Sequence, residues 1–175
     1  MATIFTHALL PIAARVATGP GHFSGRLLVV AMLATILPDA DVIAFAFGVP
    51  YADPLGHRGF THSLTFAVFM GAIAAAFAQR LNSTRMISFI TLFLATASHP
   101  FLDSFTNGGL GVAWFWPIVD TRYFMPWQPI EVSPIGASNF FSARGAVVLL
   151  SEARWIVAPI AIIAVSFRFL RSRQS

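Results

Sequence analysis

Five histidines and seven carboxylates occur in this chain of 175 residues, and most fall in four short clusters. These are Thr6-His7, Pro38-Asp39-Ala40-Asp41, His57-Arg58-Gly59-Phe60-Thr61-His62-Ser63, and Ser98-His99 with Asp103. The chain has no cysteine, so any metal must be held by imidazole, carboxylate or backbone. His99 and Asp103 are spaced i, i+4, which puts both on one helix face and lets them chelate one ion or bridge two. Taken alone, the pair reads first as a hydrogen-bonded stabiliser of a helix end, and the three further clusters reverse that balance. Asp39 and Asp41 stand at a helix break, where one carboxylate caps the next helix and the other is left for metal ligation or base catalysis. His57 and His62 bracket a glycine-containing turn, and Arg58 between them would supply a fixed cation suited to bidentate contact with phosphate. His22, in Gly-Pro-Gly-His, reads as a loop residue.

The surroundings of these clusters make them informative. The chain is 57% hydrophobic and 10% charged, whereas soluble proteins average about 25% charged, so a bilayer is its natural solvent. Ionisable groups at membrane depth cost several kcal/mol each unless paired or bound to a cation, which favours convergence on metal over scattered structural roles. The net charge of +4 arises from arginines dispersed along the chain, with no basic patch interleaved with aromatics, which argues against nucleic-acid binding. The opening run lacks the basic start of a signal peptide and reads as part of the mature protein.

The elements that must position the clusters are apolar helices. The clearest span is His62 to Gln79, about 27 Å at helical rise against a hydrocarbon core of about 30 Å. Met86 to Leu102 follows after a short arginine-flanked connection, which makes the two an antiparallel hairpin. Trp155 to Leu170 is a third span, with Pro159 a kink. Leu27 to Leu37 is too short to cross alone, is stopped at Pro38 and resumes as Val42 to Val49, a broken helix; Thr3 to Ala17 is a further short helix. Arg15, Arg26, the Arg80 to Arg85 loop and the Arg168 to Arg173 tail can share the cytoplasmic side, since short cytoplasmic segments retain arginine. At helical rise, His62, His99 and Asp39 then lie about 20–27 Å away, near the opposite face. Ser104 to Ala153 becomes a long external region of interfacial character, which places Gly108 outside. The expected fold is all-α: a single domain over residues 1–175, a polytopic membrane bundle with short or broken helices and a metal site near the extracytoplasmic interface.

The four clusters in this order resemble the bacterial LexA-regulated, inner-membrane-associated metal-dependent hydrolases. That pattern is an N-terminal His, then PDxD, HRGxTHS and SHxxxDxxTxxG, then a Trp-Pro step; it appears here as His7, Asp39 and Asp41, His57 through Ser63, Ser98 through Thr106 and Gly109, and Trp116-Pro117. The order His, Asp, His, then HxxxD is more distantly similar to zinc-dependent phospholipase C and P1-type nucleases. Their later ligands are missing, as no histidine follows His99. The resemblance implies one or two divalent ions, zinc first and manganese second, held by His7, Asp39, His57, His62, His99 and Asp103, with Asp39 and Asp41 as the candidates for base catalysis. It implies an inner-membrane hydrolase that uses metal-activated water. A site at the interface meets headgroups, so the expected substrate is a phosphoester of a lipid or lipid-linked molecule, with Arg58 and Arg122 neutralising its charge. The competing classes are an intramembrane metal or proton transporter and a membrane protein whose fold a metal stabilises. The nearly unbroken apolar stretches Phe66 to Ala78 and Ile87 to Ala97 disfavour transport, because an ion path would need polar groups there.

Overall fold

A computed structural model describes residues 1–19, 21 and 23–173, and among these the fold is helical throughout. The chain forms α1 (Ile4–Thr18), α2 (Gly25–Ile36), a 3₁₀ segment (Leu37–Phe47), a 3₁₀ turn (Phe60–His62), α3 (Leu64–Ala76) and α4 (Arg85–Ser104). A short α5 (Ala137–Phe140), α6 (Ala143–Glu152), a π-helical stretch (Ala153–Val157) and α7 (Ala158–Ser172) complete it. The only extended pairings among the described residues are isolated bridges, Thr106 with Ile130 and Val112 with Tyr123. His22 lies outside the described residues.

Capping residues set where the helices start. Ser24, Ser63 and Thr84 each accept a hydrogen bond from the backbone N–H three residues on, at 3.0, 3.0 and 3.2 Å. Each such cap stabilises its helix by about 1 kcal/mol. The Ser24 hydroxyl also donates to the Leu81 carbonyl, which fastens the start of α2 to the turn between α3 and α4. Pro38 has no N–H to continue the α ladder, and from Leu37 the chain runs in the tighter 3₁₀ form to Gly48.

Apolar side chains lie both inside and outside. Leu27, Ala34, Ala74, Leu81 and Leu92 make one core among α2, α3 and α4, and Ala2, Leu102, Ile130 and Ile156 make another beneath α1 and the C-terminal helices. Meanwhile Leu33, Phe69, Leu94, Ile162 and Val165 are all exposed. A contiguous apolar exterior of this kind is what a lipid solvent requires.

Among the described residues, three helical runs are long and apolar enough to cross a membrane: Gly25–Phe47, Arg85–Ser104 and Ala143–Ser172, of 23, 20 and 30 residues. Two of these revise the expectations above. The broken helix does break at Pro38, but with its 3₁₀ continuation it becomes long enough to cross. The last span begins at Ala143 in place of Trp155, which shortens the external region. The segment expected to span most clearly forms only the 13 residues of α3, about 20 Å, because His62 and Ser63 are taken by a turn and a cap and the residues after Ala76 are turns.

α3 and α4 form the expected antiparallel hairpin, and they pack closely at Gly71, where an added Cβ would lie 3.0 Å from the Phe89 carbonyl oxygen and 3.1 Å from the Phe89 ring. Gly71→Leu is therefore expected to force the pair apart and destabilise the protein by roughly 1–3 kcal/mol. Thermal unfolding in detergent reads this directly, and an unchanged Tm would show that the helices do not pack this tightly.

Candidate metal centre

The helix ends bring four of the sequence clusters to one point. His7 comes from the second turn of α1, Asp39 and Asp41 from the 3₁₀ segment after α2, His57 and His62 from the loop before α3, and His99 and Asp103 from α4. His7, His62, His99 and Asp103 are wholly buried, and Asp39 is 6% exposed.

The inner set is Asp39, His62, His99 and Asp103, whose donor atoms all lie within 4.8 Å of one another. His99 Nε2 is 3.1 Å from His62 Nε2 and 3.2 Å from Asp39 Oδ1. His62 Nε2 is 3.6 Å from Asp39 Oδ1, and the two Nε2 atoms are 3.7 and 3.8 Å from Asp103 Oδ2. Four donors about 2.0–2.1 Å from a tetrahedral ion stand about 3.3 Å from one another, so these separations fit the edges of such a polyhedron.

Hydrogen-bond partners fix which atoms carry protons. His99 Nδ1 lies 2.7 Å from the Thr35 carbonyl, which can only accept, so Nδ1 bears a hydrogen. The change from α to 3₁₀ bonding at Leu37 makes carbonyls in the last turn of α2 available for such a contact. His62 Nδ1 faces Asp41 Oδ2 at 3.2 Å and the Thr61 hydroxyl at 3.1 Å. Since Thr61 donates to Asp41 at 2.7 Å, it accepts from His62 Nδ1. In their neutral forms both rings would turn an Nε2 lone pair towards Asp39 and Asp103. Both Asp39 oxygens and both His7 nitrogens are buried with no hydrogen bond in the protein, and Asp103 Oδ2 has none beside its ion pair with Arg58. Buried polar atoms are ordinarily satisfied, so this group of orphans fits a cation in their midst.

Charge agrees with the donor geometry. The buried carboxylates Asp39, Asp41 and Asp103 face one guanidinium, that of Arg58, and the Met1 amino group near Asp103 offsets a further part of their charge. Carboxylates buried with too little positive charge around them cost several kcal/mol.

The remaining expected residues hold the inner set in place. Asp41 is saturated: its oxygens accept from His57 Nδ1 at 2.6 Å, the Arg58 N–H at 3.1 Å and the Thr61 hydroxyl, besides facing His62. It also forms a second group with His57 and His62 that could hold an ion, but His62 turns its Nδ1 edge to Asp41 and its Nε2 edge to the inner set, so the two groups are two sides of one imidazole. Such a carboxylate orients a ligating histidine and raises its basicity. His57 keeps Nε2 buried and unpartnered, with the Tyr51 ring edge-on at 5.1 Å. His7 stacks on His99 with 3.8 Å between centroids, and its Nε2 is 3.7 Å from Asp103 Oδ1.

Neither arginine takes the phosphate-facing place expected of it, because protein acceptors occupy both guanidiniums. Arg58 is fully buried, with Nε 3.1 Å from Asp103 Oδ2, NH1 donating to the Gly108 carbonyl at 2.8 Å and NH2 to the Thr106 hydroxyl at 2.9 Å. Its backbone sits at a left-handed φ of 63°, a strain of about 1–3 kcal/mol for a non-glycine residue. Gly109 makes room for it, since a Cβ there would lie 2.8 Å from Arg58 NH1. Arg122 donates from NH1 to the His57 carbonyl at 2.7 Å, and from NH2 to the Tyr51 and Asp53 carbonyls at 3.1 and 3.0 Å. It holds the loop that carries His57.

Sequence reasoning passed over Glu152. This buried carboxylate ends α6, where Oε1 accepts the Thr3 N–H at 2.5 Å and Oε2 accepts the Thr3 and Thr6 hydroxyls at 2.6 and 2.5 Å. A carboxylate bordering an apolar helical run was the available signal, hidden once the residue was assigned to an external loop.

Comparison with known proteins agrees with the membrane reading. The chain belongs to the YdjM inner membrane protein family, whose pattern matches residues 1–174. It is 40% identical over 160 residues to the inner membrane protein YbcI of Escherichia coli (strain K12), covering 91% of this chain and 92% of that one. No solved structure matches it.

Glu152→Gln keeps the volume but replaces one acceptor with a donor. Because hydrogen bonds to a charged group contribute about 1.5–3 kcal/mol, the variant is expected to lose at least that much stability in denaturant titration of the detergent-solubilised protein. A loss within error of zero would show that Thr3 and Thr6 do not depend on this residue.

Proposed function

We propose that this member of the YdjM inner membrane protein family is a membrane-embedded, metal-dependent hydrolase that cleaves a phosphoester of a lipid or lipid-linked substrate. The observation that carries the reading is the meeting of His62 Nε2, His99 Nε2, Asp39 Oδ1 and Asp103 Oδ2, four buried groups able to ligate a metal from three separate chain segments. These four residues would hold one divalent ion with His7 at its edge, and mixed imidazole and carboxylate donors suit zinc first and manganese second. Such an ion supplies Lewis acidity and a water acidified to near neutrality.

The chain's own groups have separate tasks. Asp41 and the Thr35 carbonyl hold His62 and His99 in the ligating tautomer. Arg58 fixes Asp103 and offsets part of its charge. Asp39 Oδ2 has no protein partner and is available to accept a proton from water. The arginine distribution supports an extracytoplasmic site, and a centre at the meeting of helix ends suits a substrate whose reactive bond lies at headgroup level.

Metal analysis of the purified protein is expected to find one ion per chain, lost in His99→Ala and in Asp103→Ala. Asp41→Asn should keep the stoichiometry but weaken binding by about 10–100-fold. Phospholipid or polyprenyl phosphate cleavage should disappear with chelator and return with zinc. A folded His99→Ala protein with full metal and full activity would refute the assignment.

Topology is tested with single cysteines at Asn82, in the arginine-flanked turn, and at the exposed Asp120. An impermeant thiol reagent on intact cells should label position 120 and spare position 82. The reverse pattern would place the centre at the cytoplasmic face.

A further inference from the structure

A cleft of about 500 Å³ lies between α1 and α4, walled by Leu10, Pro11 and Ala14 on one side and Ile90, Leu94 and Ser98 on the other. The two helices meet where the His7 and His99 rings stack and make few direct contacts beyond that point. Leu10 and Pro11 lie one turn beyond His7, and Ser98 directly precedes His99, so one end of the cleft abuts the centre. At the other end it closes on Phe23, Thr18 and Ile87.

We infer that this cleft seats the hydrocarbon chain of the lipid substrate and so holds its phosphoester at the His7/His99 end of the centre. The inference rests on the hydrolase reading and adds the class of substrate and how it is held. Length is one reason: Ile87 to Ser98 spans about 16 Å at helical rise, about half of the roughly 30 Å hydrocarbon core and thus the depth of one leaflet. Chemistry is another, since among the described residues no charged side chain lines the cleft. Two of its hydroxyls are spent on their own helices, Ser98 donating to the Ala95 carbonyl at 2.6 Å and Thr18 to the Ala14 carbonyl at 2.8 Å. Continuity is the third: the cleft runs from the ligand-bearing turns of the two helices that contribute His7 and His99. An ordinary bilayer lipid would coat all exposed helices alike, whereas a seat for substrate has one position relative to the centre.

The test uses the full chain in phosphatidylcholine vesicles containing a phosphatidylglycerol with a diazirine halfway along one acyl chain. After irradiation, the label is located by peptide mapping, and metal content is measured on the same samples. Label is expected to concentrate on residues 10–18 and 87–98. Ala14→Trp, which fills the cleft, should cut that labelling on the order of tenfold, because the chain loses its apolar seat, and should leave metal content unchanged. Leu94→Trp, on the opposite wall, reads the same space independently. Ile162→Trp, on the exposed face of α7, should leave labelling as in the wild type. Label spread over α3 and α7 in proportion to their exposure would overturn the inference and show annular lipid only. Labelling of the cleft that falls as protein concentration rises would also overturn it, in favour of a second copy of the chain. If cleft labelling persists and no lipid is cleaved, the seat stands and the hydrolase reading fails. If both tryptophan variants cleave the lipid as the wild type does, the hydrolase stands and the seat is refuted.

Discussion

Three carboxylates, buried where four helix ends meet, are the constraint around which this molecule is arranged. In water, Asp39, Asp41 and Asp103 would be solvated at no cost. Here they are shielded from solvent with one guanidinium, that of Arg58, among them. Neutral imidazoles would not relieve that charge, because they are acceptors on the sides they present. The Met1 amino group near Asp103 offsets part of it, and a divalent cation among Asp39, His62, His99 and Asp103 would offset the rest. The same ledger accounts for the internal engagement of Arg58: a buried cation committed to Asp103 reduces the repulsion among the carboxylates, and a cation free to swing towards a substrate would not.

Around the donors, nearly every polar group has one task. Asp41 grips His62, His57, Thr61 and the Arg58 backbone together, so the loop from His57 to His62 is held by one carboxylate. Thr106 and Gly108 receive the far side of Arg58, and Gly109 leaves the space it occupies. The break at Pro38 belongs to the same scheme. It puts Asp39 and Asp41 on a 3₁₀ segment in which both reach the site, while Thr35 in the turn before it accepts from His99. A continuous α-helix would project side chains two apart in directions about 200° apart and could not bring both carboxylates to one centre.

The cluster was legible in the sequence and the division of labour within it was not. Charged and imidazole groups amid apolar residues are costly enough that His99, Asp103, Asp39 and His62 stand out from composition and spacing alone. Whether Asp39 or Asp41 joins the inner set depends on the local 3₁₀ geometry, which hydropathy does not encode. Arg58 and Arg122 read as substrate contacts because an arginine between histidines suits phosphate, and only tertiary contacts show that carbonyls, a hydroxyl and Asp103 occupy their guanidiniums. Helix extent was misjudged for a related reason. The apolar run from His62 to Gln79 looks continuous, yet the cap at Ser63 and the turn after Ala76 cut it to 13 residues.

Short helices in an apolar surround carry a cost that the long ones escape. A helix of 15 residues such as α1, about 22 Å long, begins with N–H groups that no earlier turn can satisfy, and hydrocarbon offers no water to replace them. Thr3, the capping residue, accepts no backbone N–H of its own helix on its side chain. The Glu152 carboxylate takes its N–H and hydroxyl and the hydroxyl of Thr6, while the Asp103 carboxylate takes the Ala2 N–H at 2.8 Å. One acceptor therefore comes from the C-terminal helix and the other from the centre itself. His7 follows Thr6 directly, so the anchor that satisfies the backbone also sets where His7 stacks on His99. The same contacts that make a short helix tolerable in lipid thus tie α1, α4 and the C-terminal helix into one support for the centre.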